Sequence, residues 1–332
     1  MKKTFTHIIL SLFTVIVSAG CSKDVAGTPI EFAVSTPDMS VSADAMTKGE
    51  ITSENIGSAN VYVVGSEDGK PMFYSGYYST VKINQSGNVW LPPDGKVWND
   101  NATYTFYGYA YTVPTETTLN IYDSGHRIEV LQPASYSEGM CADYLLSDQL
   151  VLSPSKVHPL VPIALKHAMS KIKINVVRAI GMSSFAISEL SVTLSNIITG
   201  ASLTYTGGTW STIPTIDTGT YSKEVISIPA ADPAAETEIK VLDFIAIPAP
   251  NSTLKGYTLS ISYEYTPIGE DTPTTFSKSF NLGEADANNW QSGHLITYNL
   301  IIDNGIHLRG SIADWGDGGD IEGTILPPLP AK

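Results

Sequence analysis

The sequence predicts an all-β fold built from β-sandwiches, and three observations carry that reading. Apolar and polar residues alternate with period two in one stretch after another. These stretches are short and are separated by clusters of Gly, Pro, Asn and Asp, in a chain with 27 glycines and 20 prolines. A content of 42% hydrophobic and 16% charged residues, with 17 tyrosines, suits half-buried strands and excludes a disordered chain or a coiled coil. At 332 residues the chain is long enough for two domains, each with its own core.

The first twenty residues stand apart from that pattern. Lys2 and Lys3 precede a short apolar run over 8–17, and Ser18-Ala19-Gly20-Cys21 follows, so 1–20 reads as a secretory signal rather than a membrane span. Small residues directly before a cysteine resemble the bacterial lipobox, which makes Cys21 the expected lipidation site and the mature N-terminus. Cys141 is then left without a disulfide partner, so the exported domains must stand on their cores. Losing Lys2 and Lys3 takes the 19 cations to 17 against 33 anions, a balance of −16. No nucleic-acid partner fits such a surface.

Residues 21–48 read as a tether, a first strand, or both. Pro29, Pro37 and the small residues of 40–45 surround a single alternating patch, Ile30, Phe32 and Val34. Strand patterns follow at 61–64, 72–78 and 104–111. The prolines Pro154 and Pro159 then remove ladder donors and mark a seam near 155–165. The expected domains are therefore 49–160 and 161–332, the second carrying a C-terminal tail.

Beyond the seam the alternation is clearest. Ile172, Ile174 and Val176 face one way and Lys171, Lys173 and Asn175 the other. Leu190, Val192 and Leu194 alternate with Ser191, Thr193 and Ser195. The series Tyr257, Leu259, Ile261, Tyr263 and Tyr265, and the series Ile296, Tyr298, Leu300 and Ile302, repeat the pattern. Further short runs occupy 225–228, 241–247 and 276–280. None of these fits a helix with one apolar face.

Residues that would carry chemistry are sparse. The sequence has no Gly-x-Ser-x-Gly elbow, phosphate-binding glycine loop, His-Glu-x-x-His or paired-cysteine spacing, so no catalytic residue, metal ligand or cofactor is expected. His7 leaves with the signal, and His126, His158, His167, His294 and His307 are expected as surface or hydrogen-bonded histidines. The acidic run over 314–322 lacks the spacing of an EF-hand loop and reads as a solvated turn. Tyr104, Phe106, Tyr107, Tyr109 and Tyr111 have two readings, a sugar-binding face or sheet packing with one set inward and the other over a sheet face. Tyr74, Tyr77 and Tyr78 share them.

Five stretches also carry a resemblance. Ile163-Ala164-Leu165-Lys166-His167-Ala168-Met169-Ser170-Lys171-Ile172-Lys173-Ile174 resembles the L-x-F-x-H-A-L-S-K-V-K-F signature of the fimbrillin-like (Mfa-like) lipoproteins, the type V pilus subunits of Bacteroidales-type bacteria. Thr105-Phe106-Tyr107-Gly108-Tyr109 resembles that family's Y-x-F-Y-A-Y strand, and Asp143-Tyr144-Leu145-Leu146 its D-L-L element. Trp290, Gly293 and Tyr298 follow its W-x-x-G-x-x-Y-x-Y strand entry, and Asp314-Trp315 completes the set.

The resemblance implies two β-sandwiches of transthyretin-like, Greek-key topology and a structural or adhesive role in surface fimbriae. It implies export to the outer membrane as a lipid-anchored protein, and then a cut by a trypsin-like protease that removes the first strand. A neighbouring subunit would fill the opened groove, giving head-to-tail assembly. Lys48-Gly49 stands at the expected place for the cut, and the tail residues Ile321, Ile325, Leu326 and Leu329 are the candidate donor strand, although three prolines make the tail a poor ladder former and capping of its own domain is the alternative. The adhesion ligand would lie on a host or bacterial surface. The second functional reading is a monomeric surface lipoprotein that binds glycans through its tyrosines.

Overall fold

The structure, a computed structural model, describes residues 27–36, 56–73, 80–111, 120–122, 127–154, 158–181, 185–206, 209–230, 237–266, 271–303 and 305–315. These residues are almost entirely strand. The first group is β1 (Phe32–Ser35), β2 (Asn60–Glu67), β3 (Lys70–Pro71), β4 (Thr80–Lys82), β5 (Asn84–Ser86) and β6 (Val89–Leu91). Next come β7 (Tyr104–Tyr111), β8 (Asn120–Tyr122), β9 (Arg127–Leu131), β10 (Tyr144–Ser147), β11 (Leu150–Leu152) and β12 (Val161–His167). The second half supplies β13 (Ser170–Arg178), β14 (Ile187–Ile198), β15 (Gly200–Thr206), β16 (Thr209–Pro214) and β17 (Thr218–Ile228). It ends with β18 (Thr237–Ala246), β19 (Thr258–Tyr265), β20 (Thr274–Asn281), β21 (His294–Ile302) and β22 (Ile306–Asp314), with one four-residue helix, α1 (Asn251–Leu254), between β18 and β19.

Ten strands form one continuous sheet in the order β3-β2-β7-β10-β12-β1-β6-β5, with β4 added beside β2 and β11 beside β7. That sheet folds over on itself at β12. Residues Val161 to Ala164 pair with β1, whereas Leu165 to His167 pair with β10. The inward residues of both halves then meet in one core, where Ile30, Phe32 and Trp90 join Val61, Val63, Tyr104, Phe106, Val161, Ile163 and Leu165. Strict alternation along β12, with Val161, Ile163, Leu165 and His167 buried and Pro162, Ala164 and Lys166 exposed, is what sends one face into that core.

The chain leaves the first sheet after His167 and enters the second half at Ser170. The seam expected near 155–165 lies just ahead of that passage, because Val161–His167 still pairs within the first sheet. Here the sheets β18-β13-β21-β22 and β17-β14-β19-β20 share a second core. The alternating residues read from the sequence supply it: Ile172, Ile174 and Val176 from β13, Leu190, Val192 and Leu194 from β14, and Ile296, Tyr298, Leu300 and Ile302 from β21. β13 and β21 run parallel over eight residue pairs from Lys171↔Leu295 to Arg178↔Ile302. Trp290 is held in this core by its Nε1–H, which donates to Tyr298 Oη at 2.9 Å.

A fourth sheet, β16-β15-β9-β8, is made by long-range pairing of Arg127–Leu131 with Gly200–Thr204. Its Ile128, Val130, Ala201 and Leu203 belong to the same apolar cluster as Tyr107, Tyr109, Tyr111, Tyr144 and Leu146, so it covers the outer face of the first sheet. Met72 and Phe73, expected within a strand, are buried just past the end of β3.

Candidate functional site

Two places bring together residues that the sequence singled out. One is the slot occupied by β1. Ile30 and Phe32 are fully buried, and Phe32 sits opposite Val161 on β12 and Trp90 on β6. Its ring meets Phe106 edge to face, with centroids 5.4 Å apart and planes at 88°. Trp98 closes the same wall, T-shaped against Tyr104 at 4.8 Å. The backbone is satisfied on both sides: Ile30 N–H donates to Lys96 O, Val161 N–H to Glu31 O and Trp98 N–H to Thr28 O, at 2.8–2.9 Å.

The leader is therefore a central strand, flanked by a parallel neighbour and an antiparallel one. Removing it would leave two unpaired strand edges over an apolar trough floored by Phe106, Trp90, Val161 and Ile163. A gap one strand wide spans two ladder spacings, about 10 Å, which an extended chain fits and a helix does not. Along the chain the leader continues into the rest of the fold through 37–55, and that segment contains Lys48-Gly49.

The second place is the junction after β12. His167 is buried, and its Nδ1 lies 3.0 and 3.2 Å from the two carboxylate oxygens of the buried Asp143, to which it donates. Its ring stacks on Trp315, and among the described residues the ring Nε2 has no hydrogen-bond partner. Trp315 N–H donates to Gly293 O at 2.7 Å, and Gly293 N–H donates to Met169 O at 2.8 Å. The Lys171 ammonium lies 6.0 Å from the Trp315 ring centre. This junction binds Asp143, His167, Gly293 and Trp315 from four separate stretches into one unit.

The remaining sequence-selected residues have structural surroundings. His158 pairs with Asp100 and stacks on Trp98, His294 pairs with Asp314 at 3.3 Å, and His307 with Asp303 at 3.0 Å. Tyr104, Phe106, Tyr107, Tyr109 and Tyr111 are all buried, so both sets of rings are packed and that stretch presents no open aromatic face. Burial pushes the Tyr109 hydroxyl well above its ordinary range. Cys141 is buried and unoxidised, its thiol within 3.6 Å of Tyr221 Oη. Among the described residues no group of three or more His, Cys, Asp or Glu could hold a metal ion. Cys21, Lys48, Gly49, Ile321, Ile325, Leu326, Leu329, His7, His126, Tyr74, Tyr77 and Tyr78 lie outside the described residues.

The sequence reading missed Trp90 and Trp98 as walls of the leader slot. Each is a lone tryptophan near turn residues, and its role becomes visible only once β1 is placed beside β6. Gly108 was noted only within a motif, yet a Cβ there would lie 2.1 Å from Ile163 Cγ2. Its bare backbone lets β12 cross β7 closely.

Comparison with known proteins bears on the fold and the family. No curated protein matches the chain. A proposed cell adhesion protein from Bacteroides uniformis superposes with a TM-score of 0.51 at 14% identity, covering 86% of this chain and 99% of that one. A second, from Bacteroides eggerthii, gives 0.50 at 12% identity over 89% and 98%. A fimbrial assembly protein from Parabacteroides distasonis gives 0.42 at 11% identity over 87% and 96%. At such identities the first two show a shared fold. The family model described as fimbrillin-like matches residues 5–315, and this chain belongs to the fimbrillin-like family.

Proposed function

We propose that the protein is a structural or adhesive subunit of surface fimbriae that joins its neighbour by strand replacement. The observation that carries this is the leader strand: a buried, doubly hydrogen-bonded strand in the first sandwich, tethered through a segment containing a trypsin-type site. Signal removal and acylation at Cys21 hold the uncut chain at the outer membrane. A trypsin-like protease cuts after Lys48, and 21–48 becomes a non-covalent plug. A strand from another subunit then takes its place and covers the same trough. About ten main-chain hydrogen bonds at roughly 0.5–1.5 kcal/mol each, with the buried apolar side chains, make a durable joint without a disulfide. The two sandwiches, expected as 49–160 and 161–332, are taken to divide after β12 instead, since Val161–His167 pairs with β1 and β10, and the second is followed by the tail with Ile321, Ile325, Leu326 and Leu329, which is offered to a neighbour.

The test is limited trypsin treatment of the purified chain carrying Cys21→Ser, followed by N-terminal sequencing and incubation with a fluorescent peptide of residues 27–36. The reading expects a new terminus at Gly49 and uptake of the peptide with release of the leader. Clean cutting after Lys48 with no peptide uptake would overturn it.

A further inference from the structure

The slot has a readable specificity, and the chain's own tail does not meet it. The leader places Ile30, Phe32 and Val34 on its inward face, and the first two are fully buried. Phe32 is the residue against Phe106, Trp90 and Val161. A replacement strand must therefore present large apolar residues two positions apart, the middle one aromatic in size. It must also keep its N–H groups, because a central strand donates to neighbours on both sides.

The tail reads Ile321-Glu322-Gly323-Thr324-Ile325-Leu326-Pro327-Pro328-Leu329-Pro330. Its large aliphatic residues are never two apart in either chain direction. The register most like the leader sets Ile321-Glu322-Gly323-Thr324-Ile325 over Ile30-Glu31-Phe32-Ala33-Val34 and puts a glycine where Phe32 fills the core. The alternative register, Ile325, Pro327 and Leu329 inward, puts proline at that place, and the adjacent Pro328 removes a donor on the other edge. With glycine the apolar hole beneath stays empty, since nothing polar lines it to hold water.

We infer that the groove of this subunit takes its strand from a different polypeptide, one with an aliphatic-x-aromatic-x-aliphatic segment, and not from a second copy of this chain. This rests on the strand-replacement reading above and adds the identity of the joint: hetero-assembly at this groove.

The experiment uses the trypsin-nicked chain and fluorescence anisotropy with three labelled peptides: residues 27–36, residues 319–330, and 319–330 with Gly323→Phe. The tail peptide should bind at least about 100-fold more weakly than the leader peptide, the scale expected for deleting a buried phenylalanine ring. Gly323→Phe should recover at least about 10-fold. In light scattering, the nicked wild-type chain alone should stay free of polymers, while the nicked chain with Gly323→Phe should self-assemble. Wild-type tail peptide binding within about 10-fold of the leader, or no gain from Gly323→Phe, would overturn the inference while leaving strand replacement intact. Failure of the leader peptide itself to bind would overturn strand replacement and the inference together.

Discussion

The imidazole of His167 lies flat on the indole of Trp315, with ring centroids 3.9 Å apart and planes 11° from parallel. The stack joins the last residue of β12 to the residue after β22, while Asp143 at the foot of β10 fixes the ring through Nδ1. Replacing His167 by Ala removes the stacked ring and one partner of a buried carboxylate. Chemical denaturation should show a loss of about 2–4 kcal/mol. Trp315→Ala should cost as much, and the double variant should lose less than the two combined. Strict additivity would mean that the stack contributes nothing.

Gly108 and Ile163 make a second such pair. With Ile163 Cγ2 2.1 Å from where a Cβ would stand, Gly108→Ala forces β7 and β12 apart and should destabilise by about 1–3 kcal/mol. Ile163→Ala in the same chain should restore part of that loss, because it vacates the space the new methyl needs. A double variant no better than Gly108→Ala alone would show that the close approach is not what demands glycine.

Much of this was legible beforehand because a strand with one buried face writes period two into the sequence. Leu190 to Leu194 and Ile296 to Ile302 needed no further information, and the leader's Ile30, Phe32 and Val34 stood out against a small-residue background. The fourth sheet did not. Its pairing of Arg127–Leu131 with Gly200–Thr204 is set by how β14 continues past Ile198 and across the outer face of the first sheet, and no local pattern encodes that distance. Tyr107, Tyr109 and Tyr111 kept two readings, a sugar-binding face or sheet packing, for the same reason, because the sheet that packs over them is not written in any local pattern. The junction was half legible: Asp143, His167, Gly293 and Trp315 were noted as motif residues, but only the fold shows them in contact.

Cys141 gives a pH prediction. Burial raises its thiol from 9.0 to about 11, against a lesser opposing hydrogen bond from Tyr221, and burial likewise raises Tyr257 to about 12. Both groups bind their protons more tightly in the folded state. Their contribution is thus fully present below the unfolded values and is lost as pH climbs through the folded ones. Stability should be flat from pH 7 to about 8.5 and then fall towards pH 12, Cys141 accounting for about 3 kcal/mol of the decline. Cys141→Ala should flatten the fall between pH 9 and 11. In the Cys21→Ser chain, a thiol reagent at pH 8 should label Cys141 only after unfolding, and rapid native labelling would contradict its burial.

Acylation is tested directly by labelled palmitate in cells. The wild-type chain should incorporate it and Cys21→Ala should not, with the variant lost from the membrane fraction. Equal labelling of both would place the lipid elsewhere or remove it from the account.

The leader strand allows the sharpest separation of covalent from non-covalent holding. In the uncut chain, Phe32→Ala should lower stability by about 3–5 kcal/mol, as expected for a buried phenylalanine whose neighbours cannot collapse onto the gap. The strand nevertheless stays in place there, because the 37–55 connection keeps its effective concentration near the groove high. Cutting after Lys48 removes that advantage. The wild-type leader, still anchored by Ile30, Phe32 and its backbone bonds to Lys96 and Val161, should remain bound through gel filtration at micromolar protein. The nicked Phe32→Ala chain should elute without it, as mass spectrometry of the peak would show. If nicked wild-type and nicked variant retain the leader equally, the Phe32 ring is not what holds the plug, and the specificity assigned to the groove at that position falls with it.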